Sequence, residues 1–537
     1  MSNFPNPLEP NPWWKGAVLY QVYPRSFLDT NSDGVGDLPG ITKKLDYIAS
    51  IGVDGVWISP FFRSPMKDFG YDVADYCDVD PLFGTLDDFK DLLTKAHELG
   101  LKIIVDLVWS HTSFEHPWFQ ESRQSQDNPK ADWYVWANPS DDGSPPNNWL
   151  SRFGGVAWEW DGRREQYYLH NFLADQPDLN LHNPEVQDAL LEVGRFWLDL
   201  GVDGCRFDVA TYFMHDPQLR NNPIHPQPPK RNNPYFWQSH VYDILRPENL
   251  QFLQRIRQEL FDCYQGTMGI AEILCEPELE TMAIYTHGNQ RMHTAYSFIF
   301  FGSELSPQLI RNAVETAFGE TRESWASWAF SNHDSVRAVS RLAGENGDTN
   351  AAKLLLVLIS ALPGNSFIYQ GEELGLPQAH VPFERLVDPE AKAMYPHHQG
   401  RDGARTPIPW HSQAPYAGFS TVEPWLPVDE RHLPLAVDCA ETDSNSPLAL
   451  VRAWLAFRKK HSALIHGDFR FVKATEDLLW FERFNQVEGL VCLFNLSPTA
   501  QQVNLNAQEM LFASNAHLQG KSLELGSYGC AILTYRI

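Results

Sequence analysis

The sequence lacks the segments that direct a chain into or across a membrane. Its opening stretch, MSNFPNPLEPNPWWKG, has neither a basic start nor an apolar core, so it does not read as a signal peptide. No run of about 18 apolar residues occurs, and this argues against a membrane-spanning helix. We therefore expect a cytoplasmic protein with no membrane partner.

Cysteine is scarce and irregularly spaced. The chain has seven cysteines, an odd number, and no C-x-x-C pair. This spacing predicts reduced, mostly buried thiols, as in a cytoplasmic protein. The seven are Cys77, Cys205, Cys263, Cys275, Cys439, Cys492 and Cys530.

Basic residues are also few relative to acidic ones. The 42 Lys and Arg residues are outnumbered by 68 Asp and Glu residues, which leaves a formal charge of −26. An acidic surface repels phosphate backbones and anionic lipid, so nucleic acid is not an expected partner. A neutral substrate suits this charge. The aromatic content of 13% is high, and Trp and Tyr faces stack well on sugars, although most of the 18 Trp residues are expected in the core.

Short apolar runs alternate along the chain with amphipathic helical stretches. AVLYQVYP precedes GITKKLDYIASIG, DGVWISPFF precedes TLDDFKDLLTKAHELG, and LKIIVDLVWSH follows. About eight such units fit the chain, with HTAYSFIF as the sixth strand. Eight parallel strand–helix units close a (β/α)8 TIM barrel, an α/β fold. The alternative, an open doubly wound sheet, is disfavoured because no G-x-G-x-x-G follows the first strand.

Two interruptions and a change of pattern divide the chain into domains. After the third strand the alternation gives way to polar turns, which predicts an inserted subdomain over residues 112–175 between barrel parts 1–111 and 176–465. A Pro-, Asn- and His-rich loop, HDPQLRNNPIHPQPPKRNNP, follows the fourth strand. Residues 466–537 alternate with period two in LLWFERF, GLVCLFNLS, QQVNLN and CAILTYRI, which predicts an antiparallel β-sandwich domain.

The stretch DTNSDGVGDLPG contains closely spaced oxygen ligands. It begins like a calcium-binding EF-hand loop, but Gly40 stands where the bidentate Glu of an EF-hand would be. The run before it is β-branched and aromatic rather than helical, so a calcium switch is disfavoured. The loop is suited to a hard divalent cation, and the alternative is a solvated Asx turn without an ion.

Charged side chains collect where the predicted barrel strands end, which is where barrel enzymes place their active sites. Arg206 and Asp208 are two residues apart and share one face of the fourth strand, so the guanidinium should keep the carboxylate ionised. Glu272 ends an apolar strand, where burial favours a protonated acid. An ionised carboxylate and a protonated acid are the pair that a glycosidase uses. The alternative is that these acids serve as helix caps and salt-bridge partners in a barrel that only binds a ligand. The strand-end residues are Asp106, Ser110, His111, Arg206, Asp208, Glu272, Asn332, His333 and Asp334.

At these residues the chain resembles the α-amylase superfamily, glycoside hydrolase family 13, and within it the oligo-1,6-glucosidase and α-glucosidase branch. The resemblance runs through QVYPRSF, GDLPGI, GVWISPFF, DFGYDVADY, DLVWSHTS, QPDLN, GVDGCRFDVA, GIAEI, SNHD, YQGEELG and GRDGARTPIPW, in the family's order. It implies a retaining hydrolase with Asp208 as nucleophile, Glu272 as acid and then base, and Asp334 as transition-state stabiliser.

The same resemblance implies contacts beyond the three carboxylates. It assigns the terminal glucose to Asp68, Tyr71, His111, Arg206, His333 and Arg401. It also implies one structural Ca²⁺, or Mg²⁺, held far from the chemistry by Asp29, Asn31, Asp33, the Val35 carbonyl and Asp37. Ser110 replaces the Asn that binds calcium in amylases, so a second metal is not expected there.

Substrate preference stays open between two signals. Val209 after the nucleophile accompanies α-1,6 cleavage in similar enzymes, whereas the long loop after the fourth strand resembles that of disaccharide-type α-glucosidases. We lean to maltose-type α-1,4 glucosides, with a sugar or an alcohol as an acceptor in transglucosylation. The alternatives are an oligo-1,6-glucosidase, a sucrose isomerase or hydrolase, and a non-catalytic sugar-binding homologue, which the three retained carboxylates disfavour. The sequence carries no signal for oligomeric state.

Overall fold

Eight short, buried runs of the sequence form parallel strands that pair edge to edge and close on themselves. Each strand pairs with the next along the chain, and the first also pairs with the eighth. The strands are buried on both faces, which is why they read as continuous apolar runs. They are β1 (Val18–Val22), β2 (Gly55–Ile58), β3 (Lys102–Leu107), β4 (Gly204–Phe207), β5 (Met268–Ile273), β6 (Thr294–Ser297), β7 (Ala326–Trp328) and β8 (Asn365–Tyr369).

These observations come from a computed structural model that describes residues 12–230, 233–396, 400–505 and 509–534. Most of the opening stretch that was examined for a signal peptide lies outside the described residues, as do two positions of the Pro-rich loop and the last three of CAILTYRI. The search of the described residues found no helix long and apolar enough to span a membrane.

Helices surround the barrel and cover its apolar exterior. Asp37 caps α1 through a bond from the Gly40 N–H, and Thr85 with Asp88 forms a capping box at the start of α2. The helices are α1 (Leu38–Ile51), α2 (Leu86–Glu98), α3 (Pro117–Ser122), α4 (Pro184–Asp199), α5 (Asn249–Ile256), α6 (Glu278–Thr286), α7 (Pro307–Phe318), α8 (Ala338–Ala343), α9 (Thr349–Ala361), α10 (Pro389–Met394), α11 (Val437–Thr442), α12 (Pro447–Arg458) and α13 (Ser462–His466).

Two small antiparallel sheets project from the rim where the barrel strands end. Strands Phe62–Arg63 and Asp75–Val79 pair in the connection after β2. After β3, strands Trp136–Ala137, Trp158–Asp161 and Gln166–Leu169 form a three-stranded sheet with a small core of its own around Trp149 and Trp158. The structure thus has an inserted sheet where the sequence predicts an inserted subdomain, and the predicted strand in REQYYLH is Gln166–Leu169.

The C-terminal part is an antiparallel sheet of six strands. One face packs on α9 and the barrel helices, and the other covers a separate cluster that includes Leu493 and Leu523. All six strands are linked by hydrogen bonds into one sheet, which bends where the register shifts between Ser514 and Ala516. The strands are β9 (Asp468–Ala474), β10 (Leu478–Phe484), β11 (Gly489–Asn495), β12 (Gln501–Asn504), β13 (Met510–Gln519) and β14 (Ser522–Thr534).

The predicted fold class is confirmed: a closed eight-stranded parallel barrel is followed by an antiparallel β domain. The carboxyl ends of all eight barrel strands lie on one rim. Side chains that are far apart in sequence therefore meet at the same mouth.

Candidate active site

Arg206 is the centre of the site at this rim. Its Nη1 donates to Asp106 Oδ1 and to Asp208 Oδ1, both at 2.7 Å. Its Nη2 forms an ion pair with Glu272 Oε1. The guanidinium is 1% exposed, so the ends of β3, β4 and β5 bring three carboxylates around one buried cation. The structure therefore brings the predicted nucleophile and the predicted acid onto the same group.

Glu272 receives two further hydrogen bonds. Tyr296, at the end of β6, donates its OH to Oε1 at 2.7 Å, and the Val209 N–H donates to Oε2 at 3.0 Å. Val209 has φ of 36°, a left-handed conformation that β-branched residues seldom adopt. Its position just after Asp208 aims this N–H at Glu272, so local backbone strain coincides with the site.

The charges of this cluster differ from the expectation for Asp208. Burial raises the pKa of Asp208 well above its ordinary value, since Arg206 offsets this only in part and Glu272 and Asp106 add to it. This direction runs against the expectation that Arg206 keeps Asp208 ionised. One cation is shared by three carboxylates, so Arg206 compensates the charge of Asp208 only in part.

Asp106 joins the cluster to the sugar-facing wall. Its Oδ2 accepts hydrogen bonds from the Tyr71 OH and the Trp57 Nε1–H, both at 3.1 Å. Burial raises the pKa of Asp106 to about 6 despite the neighbouring Arg206. Asp106 thus holds the guanidinium and the Tyr71 ring in place, although it was not among the predicted sugar-binding residues.

A second ion-pair network surrounds Asp334. Arg401 Nη1 lies 3.2 Å from Asp334 Oδ1, and Arg405 also binds that oxygen. Arg401 Nη2 reaches Asp68 Oδ1 at 2.9 Å, so the loops after β2, β7 and β8 are tied together. Burial opposes ionisation of Asp334, but His333, Arg405 and Arg401 outweigh it and hold the pKa of that carboxyl well below its usual range. Asp334 is thus a fixed negative charge.

Asp388 completes this network from a loop that the sequence did not single out. It accepts from the Arg401 backbone N–H at 2.7 Å and from Arg401 Nε and Nη2 at 3.2 and 3.0 Å. Burial works against its charge, but Arg401 and Arg405 lower the pKa of Asp388 to about 2. Asp388 therefore fixes the orientation of the Arg401 guanidinium.

The two predicted histidines are buried and neutral at pH 7. Burial lowers the pKa of His111 to about 4 and that of His333 to about 3. The His333 ring stacks on Tyr71 with 5.2 Å between centroids, and Gln21 Nε2 lies 2.8 Å from its Nδ1. Gln176 Nε2 lies 3.2 Å from both Asp68 Oδ2 and His111 Nε2. Together these side chains form a continuous polar wall that offers neutral and charged hydrogen-bond donors.

A cavity of about 1260 Å³ opens over these groups. Its walls include seven of the predicted site residues and Val209, together with aromatic rings from the inserted subdomain and from the loops after β4 and β6. Polar and charged side chains line the cavity beside aromatic rings, which suits a small polar ligand such as a sugar. The shared lining residues are Asp68, Tyr71, His111, Val209, Asp208, Glu272, Asp334 and Arg401.

The predicted metal loop lies apart from this cavity. Asp29, Asn31 and Asp33 bond mainly to neighbouring backbone N–H groups of the loop, and Asp29 Oδ2 also accepts from Ser420 Oγ at 2.6 Å. Asp37 is committed elsewhere, because its carboxylate caps α1 and binds Thr30.

Among the described residues no three His, Cys, Asp or Glu side chains converge as a metal site. The remaining oxygen donors still suit a hard divalent cation, with Asp29, Asn31, Asp33 and the Val35 carbonyl as the residues that would hold it. Calcium in this loop stays a prediction.

Comparison with known proteins shows to which family the chain belongs. Residues 21–467 match the family model of the alpha-amylase catalytic domain. The chain belongs to the alpha-amylase family. Within that family it is 52% identical over 504 residues to a probable alpha-glucosidase of Rhizobium meliloti strain 1021, which covers 92% of this chain and 91% of that protein. It is 36% identical over 521 residues to an oligo-1,6-glucosidase of Parageobacillus thermoglucosidasius, with 90% of each covered.

Solved structures of related alpha-amylase family members agree over the whole fold. An alpha-glucosyl transfer enzyme, XgtA, superimposes with a TM-score of 0.95 at 50% identity, covering 98% of this chain and all of that one. The trehalulose synthase MutB of Pseudomonas mesoacidophila gives a TM-score of 0.89 at 30% identity, with the same coverage. The predicted branch is confirmed, and the chain is a glycoside hydrolase.

The strand-end residues named from the sequence meet at this site, but several of their partners were missed. Tyr296 sits at the end of the predicted sixth strand, and Arg405 lies in the motif GRDGARTPIPW, so both had a signal. Gln21, which opens the motif QVYPRSF, had a signal of the same kind. Asp388 had none, because its contacts with Arg401 exist only once distant loops have folded together.

Proposed function

We propose that the chain is a retaining, exo-acting α-glucosidase that releases α-glucose from the non-reducing end of short α-glucosides. The observation that carries the proposal is the sharing of Arg206 by Asp208 and Glu272 beneath a sugar-sized cavity. Retaining glycosidases need a nucleophile and an acid whose carboxyl groups lie about 5–5.5 Å apart, which two groups on one guanidinium can satisfy.

In the first step, the Asp208 carboxylate attacks the anomeric carbon while Glu272 donates its proton to the glycosidic oxygen. The leaving sugar departs as an alcohol, and a glucosyl ester forms on Asp208. The reaction uses the microstate in which Glu272 carries the proton and Asp208 is ionised. The positive charge that develops on the ring is stabilised by Asp334, which its arginine partners keep ionised.

In the second step, Glu272 takes a proton from water, which attacks the anomeric carbon and frees Asp208. Two inversions leave α-glucose. A hydroxyl of a second sugar or of an alcohol can replace water, and the product is then a new α-glucoside. The likeness to an alpha-glucosyl transfer enzyme at 50% identity supports such transglucosylation.

The exo action follows from the closed end of the cavity. The Asp68–Arg401 and Arg401–Asp334 ion pairs join three loops across this end. Buried charges joined in this way are costly to separate, so a polysaccharide has no path through them. Only a terminal glucose fits against Tyr71 and His111, and the rest of the substrate extends toward the loop after β4.

We favour α-1,4 disaccharides of the maltose type because the loop after β4 lines the outer cavity. An oligo-1,6-glucosidase is the second candidate, supported by Val209 and by the 36% identity to an oligo-1,6-glucosidase. A sucrose isomerase or hydrolase is the third, since a trehalulose synthase shares the fold at 30% identity. Initial rates on maltose, isomaltose and sucrose separate the three.

The experiment is proton NMR of maltose and isomaltose, in separate tubes, from the first minute of reaction. α-Glucose as the first product supports retention, and a faster reaction with maltose supports the α-1,4 preference. β-Glucose as the first product would refute the double displacement. A faster reaction with isomaltose would move the assignment to the oligo-1,6 type.

The control is the variant Asp208→Asn. It replaces the nucleophile with a group of the same shape, so kcat should fall by more than about 10⁴-fold while the thermal transition persists. A folded Asp208→Asn variant with substantial activity on maltose would show that another group is the nucleophile.

A further inference from the structure

The loop after β4 folds back on itself as a hairpin. Its described residues are 216–230 and 233–243, and we call it the strand-four loop. The His225 N–H donates to the Trp237 carbonyl at 2.8 Å, and the Ser239 N–H donates to the Pro223 carbonyl at 2.8 Å. Two limbs, 221–225 and 237–242, therefore run side by side.

Asn148, an exposed residue of the inserted subdomain, binds both limbs. Its backbone N–H donates to Asn221 Oδ1 at 3.0 Å, and its carbonyl accepts from Gln238 Nε2 at 2.7 Å. Its side-chain amide exchanges two hydrogen bonds with the backbone of Asn222, at 2.9 and 2.8 Å. All four polar groups of Asn148 thus engage the strand-four loop.

Asn222 links this attachment to the second limb of the loop. It is only 3% exposed, and its Oδ1 accepts from the N–H groups of Val241 and Tyr242 at 3.2 and 3.1 Å. Without Asn148, the buried N–H and carbonyl of Asn222 would lose their partners. A buried unpaired backbone group is costly, so the limbs would have to shift to let water reach it.

Beyond the attachment, the strand-four loop forms a wall of the substrate cavity. His225, Lys230, Asn233, Tyr235 and Phe236 all line it, together with residues that follow Glu272 between β5 and the start of α6. Glu272 is the group that meets the glycosidic oxygen. The strand-four loop therefore faces the leaving-group and acceptor side rather than the glucose end.

The inserted subdomain also holds this wall through Arg152. Its guanidinium lies over Phe236 and Tyr235, 4.6 and 5.1 Å from the ring centroids, and its carbonyl accepts from Asn233 Nδ2 at 2.8 Å. Cation–π contacts tolerate lateral movement of the ring better than a paired amide does. They therefore do not fix how far the strand-four loop extends over the cavity.

Asn147 and Trp149 donate to the carbonyls of Leu219 and Arg220 at 3.1 and 2.9 Å, near the start of the loop. Asn148 differs from them in bonding both limbs, through Asn221 and Gln238.

We propose that Asn148 is a positioning residue that sets how far the strand-four loop reaches over the acceptor side, and thereby limits the size of the sugar beyond the terminal glucose. The inference rests on the proposed α-glucosidase function and deepens it. Asn148 touches no reacting atom, and its effect passes through Asn222 and Gln238.

The test compares Asn148→Ala and Asn148→Asp with the wild type. The Ala variant removes both side-chain bonds to Asn222, and the Asp variant keeps the acceptor but turns an oxygen toward the Asn222 carbonyl. We expect the ratio of kcat/KM for maltotriose to that for maltose to rise about fivefold in both. The rate on p-nitrophenyl α-glucoside, which reports the glucose end, should change much less.

The matched control is Asn138→Ala. Asn138 is an exposed residue of the same subdomain whose side chain bonds Gln166 at 2.9 Å and bonds none of the described residues of the strand-four loop. Its maltotriose-to-maltose ratio should equal that of the wild type. A general softening of the inserted subdomain would raise the ratio in this variant too, and would overturn the specific role of Asn148.

Limited trypsin digestion supplies a second readout that needs no activity. Lys230 lies in the strand-four loop, so cleavage there should be faster in Asn148→Ala than in Asn138→Ala. Folded Asn148 variants with an unchanged ratio and unchanged cleavage would overturn the inference. A wild type inactive on all three glucosides would instead refute the proposed function, and the inference would fall with it.

Discussion

The variant Asp388→Asn tests whether the ion-pair network around Arg401 maintains the geometry of the cavity end proposed to bind the terminal glucose. The substitution keeps the size and shape of the side chain and removes one negative charge. Asp388 is fully buried and accepts three hydrogen bonds from Arg401. We expect both the stability of the fold and the affinity for substrate to fall.

The size of the stability loss follows from the pKa of Asp388. Arg401 and Arg405 overcome the cost of burial and lower it to about 2, against about 3.9 for an unfolded Asp. A difference of about two pH units corresponds to about 2.5 kcal/mol. The unfolding entropy of a chain of 537 residues is about 1.1 kcal/mol/K, so Tm should fall by about 2 °C.

The pH dependence has a definite sign. A carboxyl group with a lowered folded pKa stabilises the fold above its unfolded pKa, near 4, and loses that contribution as the pH falls through 2. The Tm difference between wild type and Asp388→Asn should therefore be constant from pH 5 to pH 8. It should narrow below pH 4.

The assay pairs thermal melts with steady-state kinetics on maltose, and KM should rise about tenfold because Arg401 loses its orienting partner. Asp78→Asn is the matched control, since Asp78 pairs with Arg63 at 3.3 Å where both side chains are about half exposed. Such a surface pair contributes little, so Tm should stay within about 1 °C of the wild type. An Asp388→Asn variant with the Tm and KM of the wild type would refute the reasoning.

Three further predictions concern other parts of the molecule. Tyr296→Phe removes a hydrogen bond to Glu272 and should lower kcat/KM by about 10–100-fold. Tyr416→Phe, at an exposed position, is the control and should leave kcat/KM unchanged. A Tyr296→Phe variant with the kcat/KM of the wild type would show that Tyr296 has no such role. Removing divalent ions with EDTA should lower Tm more than the specific activity of the surviving enzyme, and an equal loss of both would place the metal near the chemistry. Six histidines are less than a tenth exposed and have a pKa that burial lowers to about 3 or 4. Unfolding lets them bind protons below about pH 6.5, so the stability of the fold should decrease as the pH drops from 6.5 toward 4, by up to about 1.4 kcal/mol per pH unit for each histidine. A Tm that stays level between pH 7 and pH 5 would contradict this; the six are His111, His116, His215, His293, His333 and His432.

The barrel was predictable because its strands are buried on both faces. A parallel strand inside a barrel reads as a continuous apolar run, and the helices between such runs show a different period. In the C-terminal domain the prediction was less complete. β13 was not recognised, since its sequence MLFASNAHLQ alternates weakly and most of its residues are half-buried or exposed.

The site was predictable in part for a related reason. Parallel strands end on one rim, so Asp208, Glu272 and Asp334 were expected to meet before any distance was known. Their chemical types and spacing also carried the family resemblance. A loop position such as Asp388 has no comparable signal, because nothing local distinguishes it from a surface acid.

The sequence by itself determined the eight-stranded barrel, the β domain that follows it, the family and the three strand-end carboxylates, because each depends on residue type and local period. Only the tertiary structure decided how charge is shared in the site. Asp68 and Arg401 are 333 residues apart, and one buried guanidinium serves three carboxylates. Burial and Coulomb energies depend on distances between folded elements. The raised pKa of Asp208, the orientation of Arg401 and the attachment of the strand-four loop to Asn148 could therefore be learned only from the folded chain.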